Sequence, residues 1–301
     1  MRIVIALGGN ALLKRGEPLS AENQRRNMRA AAVALARACE GHEIAIVHGN
    51  GPQVGLLALE ADAYKALPPY PLDVLGAESQ GMIGYVIAQE LRNASPGRSV
   101  GALITQTIVD PDDPAFSRPL KPIGPVYNQD EVEALKAQHG WTFAQDGKVM
   151  RRVVPSPKPM EIVELPIIED LVARGVTVVC AGGGGIPVYR KSDGQLAGVE
   201  AVIDKDLAAS LLAERIAADR LVILTDVDAV YLDWRKPQQK AIGKVTSAEL
   251  RCHSFADGSM APKVAAACDF AERTGRPAAI GSLSQVSKVL SGQAGTIVHD
   301  R

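Results

Sequence analysis

Three times along this chain an apolar run stops abruptly at a cluster of glycines, and that recurrence restricts the fold more than any other feature. Ile3–Leu7 ends at Gly8-Gly9-Asn10, Glu43–His48 at Gly49-Asn50-Gly51, and Val176–Cys180 at four consecutive glycines, Gly182–Gly185. Continuous apolar runs of this length are what strands buried on both faces look like, and parallel sheets are built from them. The first two loops lead into helical patterns. Ser20 is placed to cap the first, whose Met28, Ala31, Ala32, Leu35 and Cys39 recur at helical spacing until Gly41; Pro52 suits the first position of the second.

The remaining elements continue this alternation. A helix is expected over Asp73–Asn93, with Val74, Met82, Val86 and Ile87 on one side, then a third strand over Val100–Val109. Glu161–Arg174 reads as a helix, Ile186–Tyr189 and Gln195–Val199 as a hairpin, Leu207–Ala217 as a helix and Leu221–Leu224 as a strand. Thr246 and Glu249 form a capping-box pattern, and Ser259 with Pro262 opens a helix carrying Lys263 in its first turn. Ala278–Ile280 and Thr296–Val298 close the sheet. Strands alternating with helices predict an α/β, three-layer αβα sandwich around a mostly parallel sheet, with ligands at the carboxyl ends of its strands.

Residues 110–159 break the pattern. Prolines at 111, 114, 119, 122 and 125, and again at 155, 157 and 159, oppose long regular elements at either end of this segment. It reads as a protruding, lid-like subdomain inserted in a single domain spanning 1–301, and it carries Lys121, Lys148, Arg151, Arg152 and Lys158.

Composition excludes several classes of function. With 301 residues, 47% of them apolar, and a net charge of −1, the chain can bury one large or two modest cores and has no basic excess for nucleic acid. No apolar run is long enough for a membrane span and no leader pattern opens the chain. Cys39, Cys180, Cys252 and Cys268 form no C-x-x-C pair, so reduced thiols and a cytoplasmic location are expected, and no metal-ligating residue is assigned.

The chemistry gathers at the glycine loops. Backbone N–H groups exposed there, and the start of a helix at Asp204-Lys205-Asp206, both favour anions. Asp206 either caps that helix or holds an ammonium group in position. Lys263 near a helix N-terminus opposes the helix dipole unless an anion is present, which suggests a phosphate. Asp226 and Asp228 follow a strand and suit a turn; His48 reads as a structural histidine. Neither a P-loop nor a dinucleotide fingerprint is present, since Gly49-x-Gly51-x-x-x-Gly55 is one residue too long.

Taken together in order, Ala6–Leu13, His48–Gly55, Ser79–Tyr85, Lys121–Pro125, Arg151–Pro157 and Gly198–Leu207 resemble carbamate kinases, a branch of the amino acid kinase superfamily. The resemblance covers essentially the whole chain. It implies reversible phosphoryl transfer between ATP and carbamate, giving ADP and carbamoyl phosphate with magnesium, in a homodimer. Lys121, Lys205 and Lys263 would be the catalytic lysines and Asp206 the residue that organises them. Gly8, Gly9, Asn10, Gly49, Asn50 and Gly51 would hold carbamate and the transferring phosphoryl group, and Gly182, Gly183, Gly184, Thr225, Asp226, Tyr231 and Met260 the nucleotide. Related acid kinases carry a lysine where this chain has Ala6, and Ala261 replaces an expected glycine. A kinase for acetylglutamate or aspartate, or a non-catalytic nucleotide-binding regulator of the same fold, are the alternatives.

Overall fold

The computed structural model describes residues 1–301 except 15, 147–148 and 256–259, and leaves aside the side chains of Asn10 and Asp146. The expected contributions of Ser259, Lys148 and the Asn10 side chain therefore lie outside the described residues.

The chain begins with β1 (Arg2–Leu7), α1 (Ala21–Ala38), β2 (Glu43–His48), α2 (Gly51–Ala63) and α3 (Leu72–Ala94). Ser20 caps α1 by accepting a hydrogen bond from the Asn23 amide, and Pro52 sits in the first turn of α2. β3 (Val100–Ala102) and β4 (Gln106–Ile108) follow, then β5 (Lys121–Tyr127), α4 (Gln129–His139), β6 (Thr142–Asp146) and β7 (Val149–Val154). Next come β8 (Glu161–Ile162), α5 (Leu165–Ala173), β9 (Thr177–Val179), β10 (Ile186–Arg190), β11 (Leu196–Gly198) and α6 (Lys205–Arg215). The last third comprises β12 (Arg220–Thr225), β13 (Val230–Leu232), β14 (Lys240–Ile242), β15 (Lys244–Thr246), α7 (Ser247–Arg251), α8 (Met260–Thr274), β16 (Ala278–Ser282), α9 (Val286–Leu290) and β17 (Thr296–His299).

Eight strands form the central sheet in the order β15-β17-β16-β12-β1-β2-β9-β3, parallel throughout except between β16 and β17. Because successive strand side chains point to opposite faces, β1 feeds two cores. Ile3, Ile5 and Leu7 pack with Met28 and Leu35 of α1 and Ile83 and Ile87 of α3, whereas Val4 and Ala6 pack with Leu212 of α6 and Phe270 of α8. That is the αβα sandwich, and it explains why β1 has no polar alternation.

Four expectations need correction. The run Val100–Val109 is two strands, and β4 belongs to a separate sheet, β11-β10-β4-β8. The Gln80 side chain forces this break: it accepts from the Thr105 amide and donates to the Thr105 carbonyl, turning the chain out of the central sheet. Glu161–Ile162 is a strand paired with β4, and the helix starts only at Leu165, where Pro166 fits its first turn. On α3 the buried stripe runs through Leu72, Leu75, Ile83, Ile87 and Leu91, so Val74 and Met82, a quarter-turn away, are exposed. β5 passes through Pro122 and Pro125 despite the expectation against regular structure there. It is the edge of the three-stranded sheet β5-β7-β6, where a proline's missing N–H costs no pairing, and its register shifts between Ile123 and Val126.

Candidate active site

The site lies where the carboxyl ends of β1, β2 and β12 meet the start of α6. Gly8 ends β1 by donating to the Leu224 carbonyl at 2.9 Å; a Cβ on Gly8 would fall 2.8 Å from that oxygen, so only glycine permits the approach. Asn50, after β2, donates to Ser79 Oγ at 2.8 Å, and the stem of Lys205 lies against Gly49.

The N-terminal turn of α6 holds the charge. Asp204, not Asp206, is the cap, with its Oδ1 accepting from the Asp206 and Leu207 amides. This leaves Asp206 free to take Lys205 Nζ on one oxygen at 2.6 Å and Lys263 Nζ on the other at 2.9 Å. The other oxygen of Asp204 accepts from Lys121, which β5 brings in from the three-stranded sheet. Three lysines face two carboxylates, and the Asp206 side chain is only 3% exposed.

Burial and charge act against each other here. Burial alone would raise the Asp206 pKa, but the two ammonium groups outweigh it and hold the carboxylate below its ordinary range. For Lys205 burial prevails and lowers the pKa from the usual lysine value, while for Lys263 burial is overcome by Asp206 and the pKa is raised. His48 is buried as the neutral imidazole, its pKa lowered to about 4 by desolvation, with Nδ1 3.1 Å from the Gly49 carbonyl oxygen.

Two cavities share this cluster. One, of about 570 Å³, is lined by Gly8, Thr225, Asp226, Tyr231, Phe255 and Met260 among others. The second, of about 190 Å³, is lined by Gly49, Asn50, Gly51, Lys121, Gly183 and Asp204 among others. Gly9, Lys205 and Lys263 line both. The two lysines therefore stand at the junction.

The model of the amino acid kinase family matches residues 1–282. A carbamate kinase from Haemophilus influenzae is 55% identical over 297 residues, covering 98% of this chain and 96% of its own. One from Escherichia coli strain K12 is 56% identical over 296 residues, 98% of each chain. The chain belongs to the carbamate kinases of the amino acid kinase family. A solved carbamate kinase from Giardia lamblia bound to AMP-PNP superposes with a TM-score of 0.90 at 40% identity, covering 99% of this chain and 98% of its own. An N-acetylglutamate synthase from Neisseria gonorrhoeae, 13% identical with a TM-score of 0.60, shares the fold alone.

Among the residues that the family resemblance singles out, the structure brings Lys121, Lys205, Asp206 and Lys263 into one cluster, with Gly8, Gly9, Gly49, Asn50 and Gly51 around it. Thr225, Asp226, Tyr231 and Met260 line the larger cavity. Of the tetraglycine, Gly183 lines the smaller cavity, while Gly182 and Gly184 lie behind it against other elements. These glycines are closely packed. A Cβ on Gly182 would meet His48 Nε2 at 2.3 Å, one on Gly183 would meet Asn50 Nδ2 at 2.2 Å, and Gly183, Gly184 and Gly185 all have positive φ. Asp204 was visible in sequence only as part of a charged triplet; its position one residue before the helix was the available signal for a cap.

Magnesium fits as a companion of nucleotide phosphates. No group of three potential ligands is found among the described residues, and both Asp206 oxygens are engaged by lysines. Mg²⁺ keeps several waters and favours phosphate oxygens over an all-protein cage, so this chain would hold it through the phosphates its lysines grip. Among the described residues, no helix is long and apolar enough to cross a membrane.

Proposed function

We propose that this chain transfers a phosphoryl group reversibly between ATP and carbamate, giving ADP and carbamoyl phosphate. The carrying observation is that Lys205 and Lys263 line both a nucleotide-sized cavity and a much smaller one. ATP occupies the larger, within the range usual for ligand pockets. Carbamate, with few atoms, suits the smaller.

In the forward direction a carbamate oxygen forms a bond to the γ-phosphorus while the bond to the bridging oxygen of ADP breaks. Carbamate arrives as an anion, so no proton need be removed, which accords with a site whose buried carboxylate has both oxygens committed to lysines. The residues supply alignment and charge. Lys205 and Lys263 follow charge developing on the transferring group, Asp206 fixes their spacing, and Lys121 adds a third cation in the lining of the smaller cavity. Magnesium, when bound, adds charge neutralisation on the phosphates. Residues 110–159 act as the cover that keeps water from the labile carbamate, Asn10 joins the substrate loop, and the enzyme works as a cytoplasmic homodimer.

The test supplies carbamoyl phosphate, ADP and magnesium and measures ATP. Stoichiometric ATP is expected. ADP binding without ATP formation would mean a regulator, and ATP formed only from a different acyl phosphate would mean a kinase for another acid.

A further inference from the structure

Lys121 reaches the site from a sheet whose strands belong to neither of the two main cores, so something must fix the height at which β5 carries it. Apolar packing supplies the attraction: Ile123 and Val154 are buried with Val54 and Ala58 of α2 and with Val202. Side chains of this kind can settle at more than one height. What removes the slack is a backbone contact. A Cβ built on Gly55 of α2 falls 1.9 Å from Gly124 Cα and 2.2 Å from Gly124 N, and one on Gly124 falls 3.3 Å from Gly55 Cα. The obstructing atoms are main chain, so no rotamer change relieves them. Gly124 also has a φ of +71° and sits in the register shift of β5, three residues from Lys121. The same sheet is tied down once more where the Val202 amide donates to the Pro155 carbonyl at 3.0 Å, two residues before Asp204.

We propose that Gly55 and Gly124 are positioning residues for Lys121, their bare backbone contact setting where its ammonium group meets Asp204 above the smaller cavity. This rests on the reading that Lys121 acts in phosphoryl transfer. A methyl on Gly55 forces β5 away from α2 and carries Lys121 with it; a misplacement on the order of 1 Å costs up to roughly a hundredfold in rate.

The experiment is a double-mutant cycle on the full chain, following ATP formation from carbamoyl phosphate and ADP. Gly55→Ala is expected to lower kcat roughly ten- to a hundredfold with the KM for ADP unchanged. In a Lys121→Ala background the same substitution should add less than about twofold, because the residue it displaces is gone. Gly124→Ala, which meets its neighbour less severely, should show a smaller loss with the same masking, and it keeps the test open where Gly55→Ala does not fold. Gly76→Ala on α3, whose Cβ meets nothing within 4 Å, should leave turnover unchanged. Full turnover in both glycine variants, or a loss that persists undiminished without Lys121, overturns this inference alone. A wild-type chain with no turnover overturns the proposed function and this inference with it, whereas an active wild type matched by Lys121→Ala removes the role of Lys121 on which it depends.

Discussion

At the scale of single residues, Asp206 decides how the site can work. With one oxygen on Lys205 and the other on Lys263, it cannot also serve as a base, and it holds two cations close together where their mutual repulsion would otherwise drive them apart. Replacing either lysine by alanine removes a preorganised contact to developing charge, so kcat should fall roughly a hundred- to a thousandfold, about 3–4 kcal/mol, with nucleotide affinity changed much less; stopped-flow turnover beside calorimetric ADP binding separates the two. Because burial lowers the Lys205 pKa, turnover should decline on the alkaline side below the ordinary lysine value of 10.5, and Lys205→Arg should abolish that limb even where it slows the reaction. His48 governs the acid side of stability. Its folded pKa of about 4 lies below the ordinary 6.5, so the unfolded chain binds the extra proton between those values. Its contribution is complete above pH 6.5 and falls as pH drops toward 4, by about 3 kcal/mol in total. Denaturant titrations from pH 7 to 4 should show this slope in the wild type and a flatter one in His48→Asn.

At the scale of elements, the tetraglycine is a seat for the loop Gly49-Asn50-Gly51. Gly183→Ala sets a Cβ 2.2 Å from the Asn50 amide and places alanine at a φ of +64°; the left-handed backbone alone costs about 1–2 kcal/mol, and displacement of Asn50 should raise the KM for carbamoyl phosphate more than that for ADP. Urea unfolding together with steady-state kinetics tests both halves. The strands and their glycine exits were legible in sequence because burial on both faces leaves β1, β2 and β12 no polar alternation. The split between β3 and β4 was not, because its cause, the Gln80 side chain, comes from another element. Likewise Pro122 and Pro125 argue against a strand until β5 is known to be an edge. The helix expected from Leu207 begins two residues earlier, at Lys205, because the Asp204 side chain caps it there.

For the molecule as a whole, the site joins Lys121 of β5 to Asp204 across 83 positions and Asp206 of α6 to Lys263 of α8 across 57, so no spacing rule could assemble it; the ordered set of family-like segments could. A nucleotide in the larger cavity, lined by Thr225 of β12, Lys205 of α6 and Lys263 of α8, binds only the folded chain. ADP at a hundredfold excess over its Kd should raise the unfolding free energy by about 2.7 kcal/mol, seen as a concentration-dependent rise in Tm, and Lys263→Ala should shrink that rise only as far as it weakens binding. The cap on α6 has a further consequence for how the enzyme comes into being. The first three positions of that turn, Asp204, Lys205 and Asp206, supply both the hydrogen bonds that start the helix and most of the charge of the lysine–aspartate cluster. The helix cannot nucleate in its native register without setting Asp204, Lys205 and Asp206 in place, to be met later by Lys121 of β5 and Lys263 of α8. A refolding chain should therefore not recover turnover before α6 becomes protected from hydrogen exchange, which pulsed exchange beside an activity assay during refolding would check.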